Sequence, residues 1–322
     1  MATMMTTNTK IVLYTFPPIP KSYSMTPFGL KTESFLRAND IPYEKVYTTS
    51  FGNNGTIPYL RIFSSDDESD ESSFEEIPDS NAILSRLSKD PRFEIRSDAN
   101  LTTEQKAIGH ACLRMLEEHT SQAGFYFRYA LKMPEFCEAT QLRERVFMGD
   151  ESKLGNFIYN QFKSKMPKGW MKKAKVRGFV RYSSPAVVWA MTSEDLKVLE
   201  DLLSQHVYFF GQSHPGTLDC TVFGHLSQFL YIDIDFPQKK YLKESCPNLL
   251  RFMEHFKTTH FPDWETLCLK QPNDALDPDN PRMKALAKMK QKAILVGATA
   301  LLAIVGVGGR YFSSVFSSSQ EL

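Results

Sequence analysis

The stretch Val207–Tyr231 (VYFFGQSHPGTLDCTVFGHLSQFLY) constrains this chain more than any other. An apolar run, Val207–Phe210, is stopped by Gly211, and a turn follows over Gln212, Ser213, His214, Pro215 and Gly216. Leu218, Val222, Phe223, Leu226, Phe229 and Leu230 then recur at helical spacing. Apolar residues cover far more than one stripe, and a helix of that kind is buried. Gly216 is placed to be the N-cap, and Asp219 to reach back to the cap N–H at the positive helix end. On this reading Asp219→Ala costs ~1 kcal/mol through the lost start signal, and Phe223→Ala roughly 3–5 kcal/mol.

A chain of 322 residues can bury a large core and divide into two domains. Its net charge of +1 implies no polyelectrolyte partner, so nucleic acid is not expected. The five cysteines (Cys112, Cys137, Cys220, Cys246, Cys268) are scattered and include no CxxC pair. That pattern fits reduced thiols in a cytosolic compartment. MATMMTTNTK has neither an apolar signal region nor the arginines of a transit peptide.

Taken in order, Lys10–Phe16 reads as a short buried strand, followed by an extended loop at Pro17, Pro18 and Pro20. A helix starts at Pro27 and ends near Asn39, and Tyr43–Thr48 is a second strand. Strand residues run from Thr56-Ile57-Pro58 to Phe63, and Phe74–Ile77 returns. Asp79-Ser80 opens a helix with Ile83, Leu84 and Leu87. The acidic, Ser-rich segment 64–76 reads as a solvated loop. After a linker, Thr102 and Gln105 form a capping box for a long helix toward Phe127. Glu138–Phe147 reads as another helix, and Thr192 or Ser193 as the cap of a further one. Lys163–Arg177 is strongly basic, a solvated face or a surface for anionic headgroups. Cys246-Pro247-Asn248-Leu249 opens a helix ending near His260.

Leu218-Asp219 followed by Phe223-Gly224-His225-Leu226 and Gln228-Phe229-Leu230-Tyr231 resembles the central helix of glutathione transferase-like proteins. With Cys246-Pro247-Asn248-Leu249 and Pro262-Asp263-Trp264, the likeness narrows to the metaxin and failed axon connections branch. Family members carry Ser or Thr where Gly216 stands, so only the side-chain half of the capping box is missing. The resemblance implies an α/β thioredoxin-like domain over 10–90 and an all-α transferase-like domain over 101–268. It further implies that Ile57-Pro58 is cis and presents backbone groups to glutathione. Asp79 and Ser80 would hold its γ-glutamyl end, at a helix terminus that favours anions. As plain structure, the same residues are a turn and an N-cap.

Thiol activation takes a hydrogen-bond donor aimed at the sulfur, or a cysteine nucleophile. Thr26 stands where the thioredoxin and omega-type cysteine would precede the helical Pro, which closes the cysteine route. Ser24 and Thr26 are the catalytic candidates, with Tyr14 and Tyr23 as further donors; as plain structure Thr26 is an N-cap. His110, His214 and His225 make no metal spacing, and buried or capping roles are expected for them. No metal and no obligatory cofactor is expected; glutathione is the one ligand the resemblance admits.

Beyond a Pro/Asp-rich linker and basic helix (271–292), residues 293–309 (AILVGATALLAIVGVGG) are uncharged and apolar. As a helix they span about 25 Å, just under a hydrocarbon core of roughly 30 Å. Lys284, Lys288, Lys290 and Lys292 precede them and Arg310 follows, which favours a cytosolic N-terminal side. The expectation is a non-enzymatic, tail-anchored binding or assembly module facing the cytosol, with protein partners or self-association. Resemblance to metaxins points to protein import at the mitochondrial outer membrane, and to the failed axon connections group, axon development. The alternative is a membrane-bound glutathione transferase using a Ser or Thr hydroxyl.

Overall fold

A computed structural model describes residues 9–63, 74–147, 149, 151–178 and 184–269. The acidic stretch 64–73 and the segments expected to form a basic helix (283–292) and a membrane anchor (293–309) lie outside them. Four strands, β1 (Lys10–Thr15), β2 (Glu44–Tyr47), β3 (Tyr59–Phe63) and β4 (Phe74–Pro78), form one sheet in the order β2-β1-β3-β4. β1 is parallel to β2 and antiparallel to β3, and β3 is antiparallel to β4. A parallel pair needs a crossover. It is supplied by α1 (Pro27–Ala38), and α2 (Ser80–Leu87) follows β4. This is a thioredoxin-like sheet, and Ile57-Pro58 is cis at the entry to β3.

The rest is helical. α3 (Thr103–Met115) continues through a π-helical turn (Leu116–Thr120), α4 (Ser121–Phe125) and a second π-helical turn (Tyr126–Leu131). Its capping box joins Thr102 and Gln105 in both directions. The helix expected over Glu138–Phe147 is instead two short ones, α5 (Met133–Ala139) and α6 (Leu142–Val146), broken at Gln141 with φ 48°. α7 (Lys153–Val176) follows. α8 (Pro185–Leu203) starts well before the expected cap: Thr192 and Ser193 lie inside it, their hydroxyls bonded to backbone carbonyls three or four residues back. Pro185, whose missing N–H suits a first turn, is the true start. The apolar run before Gly211 is a short 3-10 turn, Phe209–Gly211.

α9 (Thr217–Leu230) is the buried helix read from the sequence; Leu218 to Phe229 are all buried. Around it stand α10 (Pro237–Ser245), α11 (Pro247–His260) and α12 (Trp264–Cys268). Phe223 stacks on Phe256 (4.5 Å) and Phe261 (5.4 Å) and meets Trp264 edge-on. On its other side α9 crosses α1 at Gly224. A Cβ there would come within 2.7 Å of the Pro27 carbonyl oxygen and 2.8 Å of the Lys31 nitrogen. Only glycine lets two backbones approach so closely.

Asp219 does more than the sequence suggests. Its Oδ2 accepts from Gly216 N–H (2.8 Å), the start signal expected, and its Oδ1 from Phe209 N–H (2.9 Å), ten residues upstream. The side chain is fully buried, which pushes its carboxyl up to about 8.

Asp219→Ala therefore orphans two buried N–H groups, at about 1–3 kcal/mol each. Chemical denaturation should place its cost near that of Phe223→Ala rather than at the ~1 kcal/mol of a plain cap. A second comparison tests the crossing. Gly224→Ala should destabilise by about 1–3 kcal/mol through overpacking. Gly109→Ala, whose Cβ would meet only the Phe210 ring at 3.5 Å, should be neutral or stabilise by up to ~1 kcal/mol.

Candidate functional site

The loop from β1 to α1 carries Ser24 and Thr26. Ser24 is buried; its Oγ donates to the Thr26 carbonyl oxygen (3.0 Å) and accepts from Thr26 N–H (3.2 Å). Thr26 is the N-cap of α1, with Oγ1 accepting from Gly29 N–H (3.4 Å). Both hydroxyls thus serve the geometry of the loop.

Ile57, Pro58, Asp79 and Ser80 do come together, because β3 and β4 pair Tyr59 with Pro78. The Asp79 N–H donates to the Pro58 carbonyl (3.2 Å) and to Thr56 Oγ1 (3.1 Å). Asp79, at φ 61°, caps α2: Oδ1 accepts from Asn81 N–H (2.6 Å) and Ala82 N–H (3.3 Å). Ser80 is buried behind it.

At the next residue of α2, Asn81, begins a polar cluster that sequence reasoning missed. Lys31 of α1 is fully buried, and its Nζ donates to Glu117 Oε1 and Asn81 Oδ1, both at 2.6 Å. Asn81 Nδ2 donates to Glu117 Oε2 (2.8 Å), and Arg114 also bonds this oxygen. Burial pushes Lys31 down from its ordinary value. Burial would raise Glu117, but the Lys31 charge and the bonds from Lys31 and Asn81 outweigh it and hold the carboxyl below its usual range. His225 is buried nearby on α9, its Nδ1 bonded to the Thr221 carbonyl (2.8 Å); burial lowers it to about 4, so the ring is neutral. His110 and His214, by contrast, are exposed. The signal for Lys31 was its register: it lies four residues from Phe35, on the stripe that α1 buries.

A second cluster joins the sheet to the C-terminal helices. The hydroxyl of Tyr23 lies 2.9 Å from Asp263 Oδ2 and from Lys45 Nζ, and 2.5 Å from Arg37 Nη2. Glu33 Oε1 accepts from Tyr43 (2.6 Å), Lys45 (2.7 Å) and Arg37 (3.1 Å). Burial, then Glu33, raise the Tyr23 phenol far above its ordinary value, so it remains protonated and held. A groove of about 710 Å³ opens beside it, lined in part by Arg37, Tyr43, Tyr47, His260 and Asp263. Tyr14, the other candidate donor, stacks on Tyr59 at 4.6 Å under Arg61. No group of His, Cys, Asp and Glu able to hold a metal occurs among the described residues.

Residues 27–135 match the glutathione S-transferase N-terminal domain family, and residues 192–256 the glutathione S-transferase C-terminal domain family. The chain belongs to the glutathione S-transferase-like superfamily. Within this superfamily it is 34% identical over 269 residues to Failed axon connections of Drosophila melanogaster, a match covering 81% of this chain and 60% of that relative. The chain therefore spans about 60% of the length of the relative it matches. Solved structures of similar outline include a glutathione S-transferase of Ceriporiopsis subvermispora in complex with glutathione (16% identity, TM-score 0.48, 77% of this chain and 97% of that one). Another is a glutathione transferase of Phanerochaete chrysosporium (14% identity, TM-score 0.47, 78% and 98%).

The Lys31–Glu117 pair gives a test of how this superfamily member is held together. Removing one partner of a buried pair leaves a bare charge and typically costs ~3–5 kcal/mol. Glu117→Leu, which strands the buried Lys31 ammonium, should do so; Lys31→Met, which leaves Glu117 to Arg114 and Asn81, should cost less, and the double variant should be more stable than Glu117→Leu in denaturant melts. Because the folded carboxyl of Glu117 sits below its unfolded value, its contribution is present above the unfolded range and is lost as pH falls through the folded value. Acid unfolding of Glu117→Gln should show a correspondingly shallower pH dependence than the parent.

Proposed function

We propose that this chain is a non-enzymatic binding or assembly module of the failed axon connections and metaxin type, held at the cytosolic face of a membrane. The observation that carries the proposal is the fate of the groups a transferase would use. The Ser24 hydroxyl hydrogen is committed to the Thr26 carbonyl, and Thr26 Oγ1 is fixed in place as the N-cap that accepts from Gly29 N–H, so of the two only the Thr26 O–H keeps a hydrogen to offer. All five cysteines are buried, and burial raises every thiol, Cys246 and Cys268 to about 12. The thiolate is the nucleophile, so none of the five is prepared to attack at neutral pH.

The attachment comes from the sequence of 293–309, a run long enough to cross a hydrocarbon core with modest adaptation. No helix among the described residues is long and apolar enough to do so. The lysines before the run favour a cytosolic body. Likeness to metaxin tails favours the mitochondrial outer membrane, and with it a part in protein import through protein partners. A regular oligomer with itself or another chain fits the same reading.

Two measurements test it. Full-length protein with glutathione and a chloronitrobenzene-type electrophile should show no turnover above the uncatalysed rate. Turnover abolished by Ser24→Ala or Thr26→Ala makes it a transferase instead. In cell fractions, the chain should resist alkaline carbonate and its body should be digested by protease added to intact organelles. Deleting 293–309 should release it. A parent chain that washes off in carbonate removes the anchor from the proposal.

A further inference from the structure

The two matched domain families end at residue 135 and resume at residue 192. The segment between them is dominated by α7, which holds seven lysines and no carboxylate in 24 residues. Its inner face is anchored: Trp170 packs on Tyr129 (5.2 Å) and Phe125 (5.1 Å), and Ala174 is buried. Two lysines fold back onto rings, Lys173 over Trp170 (4.5 Å) and Lys163 over Tyr159 (5.5 Å). The outer face is different. Lys168, Lys172 and Lys175 are exposed, and among the described residues no carboxylate pairs with any of them. At 3.6 residues per turn they share roughly a third of the circumference with Phe157 and Val176. Those two apolar side chains are 51% and 78% exposed, one toward each end of the helix.

Between the lysines is a cradle of about 440 Å³, lined by Ala130, Pro167, Lys168, Met171, Lys172 and Lys175. Its floor is apolar and its rim is three ammonium groups. We infer that this face of α7 docks on an anionic phospholipid surface, with a lipid phosphate at the ammonium rim and the glycerol and first acyl carbons over Met171 and Pro167. Charge complementarity selects the headgroup. The exposed Phe157 and Val176 select a bilayer over a polynucleotide, because a phosphate backbone has nothing to offer them. An interfacial helix works in this way, joining apolar burial to attraction by anionic lipid. The inference rests on the proposed membrane attachment only in supposing that a bilayer is near; α7 would lie along it while 293–309 crosses it.

The native thiols are buried, so a Ser164→Cys variant of the full chain can carry a polarity-sensitive dye on this exposed face. It is mixed with vesicles of phosphatidylcholine alone or with phosphatidylserine added. Vesicle pelleting reports the anchor; dye emission reports α7. Pelleting should occur with both vesicles, and the blue shift only with the anionic ones. High salt should reverse the shift, and so should the triple variant K168E/K172E/K175E. Where partition can be read without the anchor, in a chain lacking 293–309, the triple variant should bind anionic vesicles roughly 100-fold more weakly. A blue shift equal on neutral vesicles, an unaffected triple variant, or the same response to inorganic phosphate alone would each overturn the inference. Loss of pelleting on neutral vesicles with the anionic response intact would instead remove the anchor and leave the docking face standing.

Discussion

The crossing of α1 over α9 is the constraint on which the rest depends. Gly224 brings the two backbones to a separation that leaves no room for a Cβ, and that contact fixes how the sheet meets the helices. Once the helices are this close, Lys31 cannot reach water and must find its counter-charge inside the protein. Glu117, Asn81 and Arg114 then follow as a set. A buried pair of this kind contributes little net stability, but it makes wrong arrangements costly, because any shift of α1 strands a charge in a low dielectric. Packing sets the position of the domains, and the ion pair penalises departures from it.

Much of this was legible in the sequence for a simple reason: the deciding elements are local. The order of strands and helices around the sheet follows from alternating apolar runs, prolines and caps. The Thr102–Gln105 box was readable because both ends lie within four residues. The burial of α9 needed only its apolar breadth. What failed was whatever a neighbour decides. Thr192 and Ser193 look like caps, yet sit inside α8 because the helix already starts at Pro185, and their hydroxyls bond back to carbonyls of the preceding turn. Gln141 breaks a helix with no proline or glycine to announce it. Lys31 and Glu117 have the identities of surface residues, and only the tertiary contact turns them inward.

The candidate ligand-site residues divide along the same line. Ile57, Pro58, Asp79 and Ser80 converge because strand pairing puts them there, which a motif can foretell. Ser24 and Thr26 have suitable chemistry for a hydrogen bond to sulfur, but side-chain identity does not say where a hydroxyl points. In the folded chain they tie the loop to the start of α1. The seam of Tyr23, Glu33, Arg37, Lys45 and Asp263 was invisible for a further reason: its members are spread from residue 23 to residue 263, and no spacing rule connects them.

Asp219 carries a consequence of another kind. Its two oxygens are claimed by Gly216 and by Phe209, so one carboxylate measures the chain between them. Of the six intervening residues, Gly211 is held to glycine by its φ of 70°, and the others can change in identity as long as their number and the closing geometry persist. An added or deleted residue would pull one of the two N–H groups away from its oxygen, with no water at hand to replace it. Apart from Gly211, homologous chains should therefore differ in letters across this turn far more than in length, whereas the exposed connections elsewhere can lengthen without such a gauge.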